Sequence, residues 1–163
     1  MKKVEGGEIE MSTFATIMPV WNAIQSRFLN TVKHLTTEEL ALQMEDTSIG
    51  YMLRHNAEVE YMFAAWFFNK PMPEDLVIHT HRGATRSKET FTNLEELVQF
   101  LEASQTWLIQ GMSELSEEEW NEIKKCPIGD STPLEAVGRL MYHTGIHAGQ
   151  ISYIKKLHAA KQV

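Results

Sequence analysis

Between Ser12 and His34 apolar residues recur every three or four positions, at Ile17, Val20, Trp21, Ile24, Phe28 and Val32, with Leu35 just beyond. That spacing lines one face of an α-helix. Pro19 falls near its start, where a proline is tolerated or gives a small kink. Thr36-Thr37-Glu38-Glu39 has the capping-box form and predicts a new short turn. A second helix opens at Ser48, a good N-cap, with Asp46 adding negative charge near the helix N-terminus. It runs to about Asn69, short of Pro71 and Pro73. Its second half, Tyr61 to Phe68, is apolar on every side, so loops, other helices or a second subunit must cover it.

Residues 70–92 read as a long polar connection, with a short extended piece expected in 76–82. Asn93 to Leu115 restores helical spacing through Leu94, Leu97, Val98, Leu101, Trp107, Leu108 and Met112. Leu115 to Trp120 begins another short turn. Thr132-Pro133-Leu134-Glu135 combines a Thr N-cap, Pro at the first helical position and Glu at the third. It predicts a fourth helix from Pro133 to about Leu157. The segments Leu35–Leu40 and Leu115–Trp120 echo one another, as do Asp46–Ser48 and Asp130–Thr132, which hints at two related helix pairs. The expectation is an all-α four-helix bundle with a long loop between helices 2 and 3. It forms one domain over 1–163, with residues 1–11 frayed.

Charge narrows the function. Lys and Arg number 15 against 22 Asp and Glu, a net charge of -7 with His neutral. A nucleic-acid or anionic-membrane surface needs clustered positive charge, so neither partner is expected. The single cysteine, Cys126, allows no intrachain disulfide and suits a reducing compartment. The apolar run 61–68 is far short of the ~20 residues that span a bilayer. Met1 to Glu8 lacks the apolar stretch of a secretory leader. The expected address is the cytoplasm.

The candidate chemistry lies in histidines. His143 and His147 stand four apart on the fourth helix, so both project from one face and can reach one metal ion. Leu140, Ile151 and Ile154 share that stripe, which turns the pair inward. Gly145 and Gly149 each cost about 1 kcal/mol relative to Ala inside a helix, and suggest close approach by another backbone or a ligand. His55 shares a stripe with Met52, Val59 and Met62 and should also face inward. A pair at this spacing is often a surface coincidence, and a lone inward histidine is often a hydrogen-bonded core residue. Three inward histidines from two helices are different, because buried imidazoles need partners and one divalent ion would satisfy all three.

Other residues read more blandly. His79 and His81 sit in the polar loop as solvated side chains. Glu58, three residues after His55, is a candidate base or hydrogen-bond acceptor, set against an ordinary, partly exposed helix charge. Cys126 has no base beside it. The chain lacks a Gly-rich phosphate loop, a GxSxG elbow and a CxxC pair. A di-iron bundle wants Glu three residues before each histidine, and none of the three has one.

Ser48-Ile49-Gly50-x-x-Leu53-x-His55 followed by Glu60, and the closing His143-x-x-x-His147-x-Gly149-Gln150-Ile151, resemble the DinB/YfiT-like family over nearly the whole chain. The resemblance implies a four-helix bundle, commonly dimeric, with one nickel or zinc ion per chain. It implies His55, His143 and His147 as the metal ligands. Glu60 matches a recurrent acid of the family, but on an ideal helix it points well away from His55, which suits a structural or supporting role. Gln150 matches the family glutamine as a donor supporting a ligand, and with Glu58 it is a candidate for a catalytic part. Relatives include bacillithiol S-transferases and mycothiol-dependent isomerases. The implied function is metal-dependent activation of a low-molecular-weight thiol, or of water in a hydrolase, against a small electrophile in stress response or detoxification. The alternative is a non-catalytic metal- or ligand-binding stress protein.

Overall fold

The computed structural model describes residues 11–80 and 90–161. Four long helices form an all-α bundle: α1 (Thr13–Val32), α3 (Ile49–Phe67), α4 (Leu94–Glu114) and α5 (Pro133–Ala160). A short α2 (Thr37–Ala41) and a 3-10 turn (Glu119–Asn121) sit in the connections. Residues 1–10 of the expected frayed start lie outside the described residues.

The caps explain the starts. Ser12, Ser48, Asn93 and Thr132 each accept a hydrogen bond from the backbone N–H three residues on. Each such cap contributes about 1 kcal/mol. Capping boxes close at Thr36–Glu39 and Thr132–Glu135. At the end of α3, Asn69 takes a left-handed conformation (φ 51°), and the Lys70 N–H turns back to the Ala64 carbonyl at 3.0 Å.

One element was not foreseen in the sequence. Gln43–Met44 and Thr47–Ser48 pair as a two-residue antiparallel hairpin, with Glu45 at φ 54° in its turn. Conversely, the extended piece expected in 76–82 forms no ladder among its described residues, 76–80. Its backbone is held by side chains of α3 instead.

α3 packs along α4 and α5, and α1 packs on α5 and α4, so α1 and α3 face each other across the diagonal. The apolar interior has two parts. One gathers Trp21, Phe63, Phe67, Leu108, Trp120 and Leu140. The other gathers Phe28, Leu40, Leu53, Leu101, Ile151 and Ile154. Between them every long helix turns a buried polar residue inward: Gln25, Asn56, Glu60, Ser104 and Thr144.

The segment 61–68 is covered within the chain. Tyr61, Phe63, Ala64, Phe67 and Phe68 are buried, the last of these against Trp120 at a ring separation of 6.0 Å. No second subunit is needed to cover it.

Gly50 has a specific cause. A Cβ there would stand 1.8 Å from the Phe91 carbonyl oxygen and 2.4 Å from that of Thr90. Ser48 Oγ also donates to the Thr90 carbonyl, at 2.9 Å. The chain entering α4 therefore lies directly on the first turn of α3.

Candidate metal centre

α3 and α5 bring His55, His143 and His147 together. One nitrogen from each lies within 4.8 Å of the others. The rings of His143 and His147 are 4.5 Å apart and nearly perpendicular, and the His55 ring is 5.1 Å and 5.5 Å from them. All three are half-buried, so the group sits at the edge of the interior with one side toward solvent. Among the described residues no other His, Cys, Asp or Glu joins them.

Two of the rings have defined tautomers. His147 Nδ1 lies 2.8 Å from Gln150 Oε1, a pure acceptor, so Nδ1 carries the proton and Nε2 keeps its lone pair. That Nε2 faces His143 Nε2 at 3.1 Å. Burial lowers the His147 pKa, against a raising effect of the Gln150 bond, and so favours the neutral imidazole that a metal requires. Gln150 thus meets His147 as an acceptor, where the sequence suggests a donor.

His55 Nδ1 lies 2.9 Å from Thr80 Oγ1. The Thr80 hydroxyl donates its one hydrogen to Glu58 Oε2 at 2.5 Å, so it can only accept from His55. His55 therefore also carries its proton on Nδ1, which puts its lone pair on Nε2. Metal-binding histidines are commonly held this way, with the second ring nitrogen given to a carboxylate, carbonyl or hydroxyl.

Glu58 is not the partly exposed charge its position suggests. Its side chain is fully buried. Oε1 accepts from Arg54 Nε at 2.6 Å and the His79 N–H at 3.0 Å. Oε2 accepts from the Thr80 N–H at 2.9 Å and the Thr80 hydroxyl. Burial pushes the Glu58 carboxyl upward, but these donors together outweigh it and hold the pKa below the usual value. With its oxygens so occupied, Glu58 reaches the histidines only through Thr80. The sequence missed Thr80, and its only signal was its place beside His79 and His81.

Glu60 differs. It is buried at the polar layer, with Ser104 Oγ 2.6 Å from Oε2 and, among the described residues, no partner on Oε1. Burial raises its pKa to about 8, against a lowering effect of the Ser104 bond. It lies away from the histidines, as its helical position requires.

His79 and Cys126 stay outside the group. The His79 ring packs edge-on to Phe91 at 5.9 Å. His81 lies outside the described residues. Among the described residues nothing lies within 4 Å of a Cβ added at Gly145 or Gly149, so no described backbone packs on them.

The donor set suits a divalent ion. Three neutral imidazoles are a common zinc or nickel set, and one nitrogen of each already lies within 4.8 Å of the others. Fold and site together define a helical bundle able to hold a metal through two of its helices. The family follows from comparison: a model of the DinB superfamily matches residues 21–151, and the chain belongs to that superfamily. A crystal structure of a DinB-like protein from Bacillus cereus ATCC 10987 shares the fold. Its TM-score is 0.67 at 12% identity, covering 88% of this chain and 91% of the other. No curated protein matches the sequence. Among the described residues no helix is long and apolar enough to cross a membrane.

Proposed function

We propose that this chain is a metal-dependent enzyme holding one nickel or zinc ion through His55, His143 and His147. The observation that carries this reading is the convergence of three imidazoles, two of them with Nδ1 already given to an acceptor. A divalent ion with three protein ligands keeps coordination positions for substrate, and supplies Lewis-acid activation of a low-molecular-weight thiol or of water. The chain's own groups orient the donors: Gln150 fixes His147, and Thr80 fixes His55. The partner in the reaction is a small electrophile, and the setting is detoxification or stress response in the cytoplasm.

Metal content per chain, measured by elemental mass spectrometry on untagged protein beside His147→Ala, tests this. Near-stoichiometric metal in the wild type, lost in the variant, is expected. Absence of metal in both after nickel and zinc are added would sink the reading. Activity is then sought by pairing thiols with electrophiles on loaded protein. Binding without turnover across those pairs would favour the alternative, a non-catalytic metal protein.

We also infer a homodimer, through a surface other than 61–68. α5 turns Tyr142, Ile146 and Tyr153 to solvent, and among the described residues nothing covers Gly145 and Gly149 between them or Gly138 one turn before. Exposed aromatic and aliphatic groups beside flat, small residues favour a second helix packing there. A clean 18.7 kDa species in sedimentation at micromolar concentration would refute it.

A further inference from the structure

The ligand histidines are held in unequal ways. His147 takes its support from Gln150, one turn along the same helix. His55 takes its support from Thr80, which lies 25 residues away in the chain on the segment after α3. Residues 77–80 are seated by one ion pair on α3. Arg54 donates to the Val77 carbonyl at 3.1 Å, and Glu58 receives the backbone N–H groups of His79 and Thr80. Thr80 is itself 3% exposed.

We propose that Thr80, held by Glu58, is a positioning residue that makes metal affinity depend on the seating of residues 77–80. This rests on the three-histidine metal reading above. The Thr80 hydroxyl has one hydrogen and gives it to Glu58. It can then only accept, which keeps the His55 proton on Nδ1 and the lone pair on Nε2. Without that hydroxyl the proton is free to move to Nε2 and block the donor atom. The dependence is reciprocal by linkage: if seating the segment strengthens metal binding, metal binding tightens the seat by the same factor.

The test uses the full chain with zinc alone, titrated against a chromophoric chelator. Thr80→Val keeps the shape and removes the hydroxyl, and is expected to weaken zinc binding roughly 10- to 100-fold, the usual effect of losing a group that orients a ligand. Thr80→Ser restores the hydroxyl and should bind like the wild type. Amide exchange on the wild type gives a readout independent of any variant. Zinc should slow exchange of the His79 and Thr80 N–H groups that Glu58 holds. Thr80→Val binding zinc as tightly as the wild type, or zinc leaving those two amides unchanged, overturns the proposal while the triad stands. A wild type that binds no zinc overturns the triad, and this proposal with it. If Thr80→Val does not fold, the exchange experiment decides.

Discussion

Glu58 and Glu60 stand two residues apart on α3, and both are shut off from water. Their surroundings drive them to opposite states. Glu58 collects two backbone N–H groups, a hydroxyl and a guanidinium, and stays ionised. Glu60 has a single hydroxyl beside it and apolar layers above and below, and stays protonated well into the neutral range. A charge is kept in a protein interior by counted donors, not by depth. The ionised acid supports the histidines, while the neutral one is part of the bundle's middle.

The largest effect is expected from breaking the charged side. Glu58→Ala leaves the Arg54 guanidinium, the Thr80 hydroxyl and two N–H groups without their acceptor. Removing one partner of a buried pair costs about 3–5 kcal/mol, which chemical denaturation would read. A loss below that of an exposed Glu→Ala would show that Glu58 is not the anchor described. Next comes Gly50→Ala, which attacks the second place where the long connection meets α3. Its Cβ cannot fit beside the Phe91 carbonyl, and overpacking of this kind costs on the order of 3 kcal/mol. An unchanged melting temperature would mean that the backbone at 90–91 yields freely.

The neutral side shows itself through pH. The folded pKa of Glu60, about 8, lies above the unfolded 4.5. Its contribution is therefore fully present below pH 4.5 and lost as pH rises through about 8. Between those values stability falls by up to about 1.4 kcal/mol per pH unit from this group. Glu60→Gln should remove that slope, and denaturation midpoints at pH 5 and pH 8 compare the two proteins directly. Equal slopes would mean that Glu60 is ionised in the folded chain. The smallest effect is Ser104→Ala, at about 1 kcal/mol for a lost hydrogen bond. Because the Ser104 bond lowers the Glu60 pKa, its loss should carry the pH-dependent window higher. A window that moves lower would contradict the assigned partner.

Much of this was legible from periodicity and caps. Ser12, Ser48, Asn93 and Thr132 mark helix starts because each is a local device, complete within four residues. The histidines were legible for the same reason, since i,i+4 spacing and an apolar stripe fix a face without knowledge of the rest of the fold. Glu58 was misread because three of its four donors come from His79 and Thr80, in a segment with no periodicity to announce where it docks. At Gly145 and Gly149 no described backbone makes the expected close approach: a glycine's cost in a helix says that something differs there, but not on which side. The cover over 61–68 depends on how helices pair, and hydropathy alone leaves that open.

The polar layer between the two apolar clusters also acts as an axial scale. Gln105 meets Gln25, Ser104 meets Glu60, and Thr144 meets Asn56 at 3.3 Å. Greasy faces alone let neighbouring helices slide by a turn, about 5.4 Å, at modest cost. A slide here would strand buried amide and carboxyl groups at three helix contacts at once. Asn56 directly follows His55, and Thr144 directly follows His143. The Asn56–Thr144 contact thus works as a vernier mark between α3 and α5, holding the imidazoles of two separate helices level with one another.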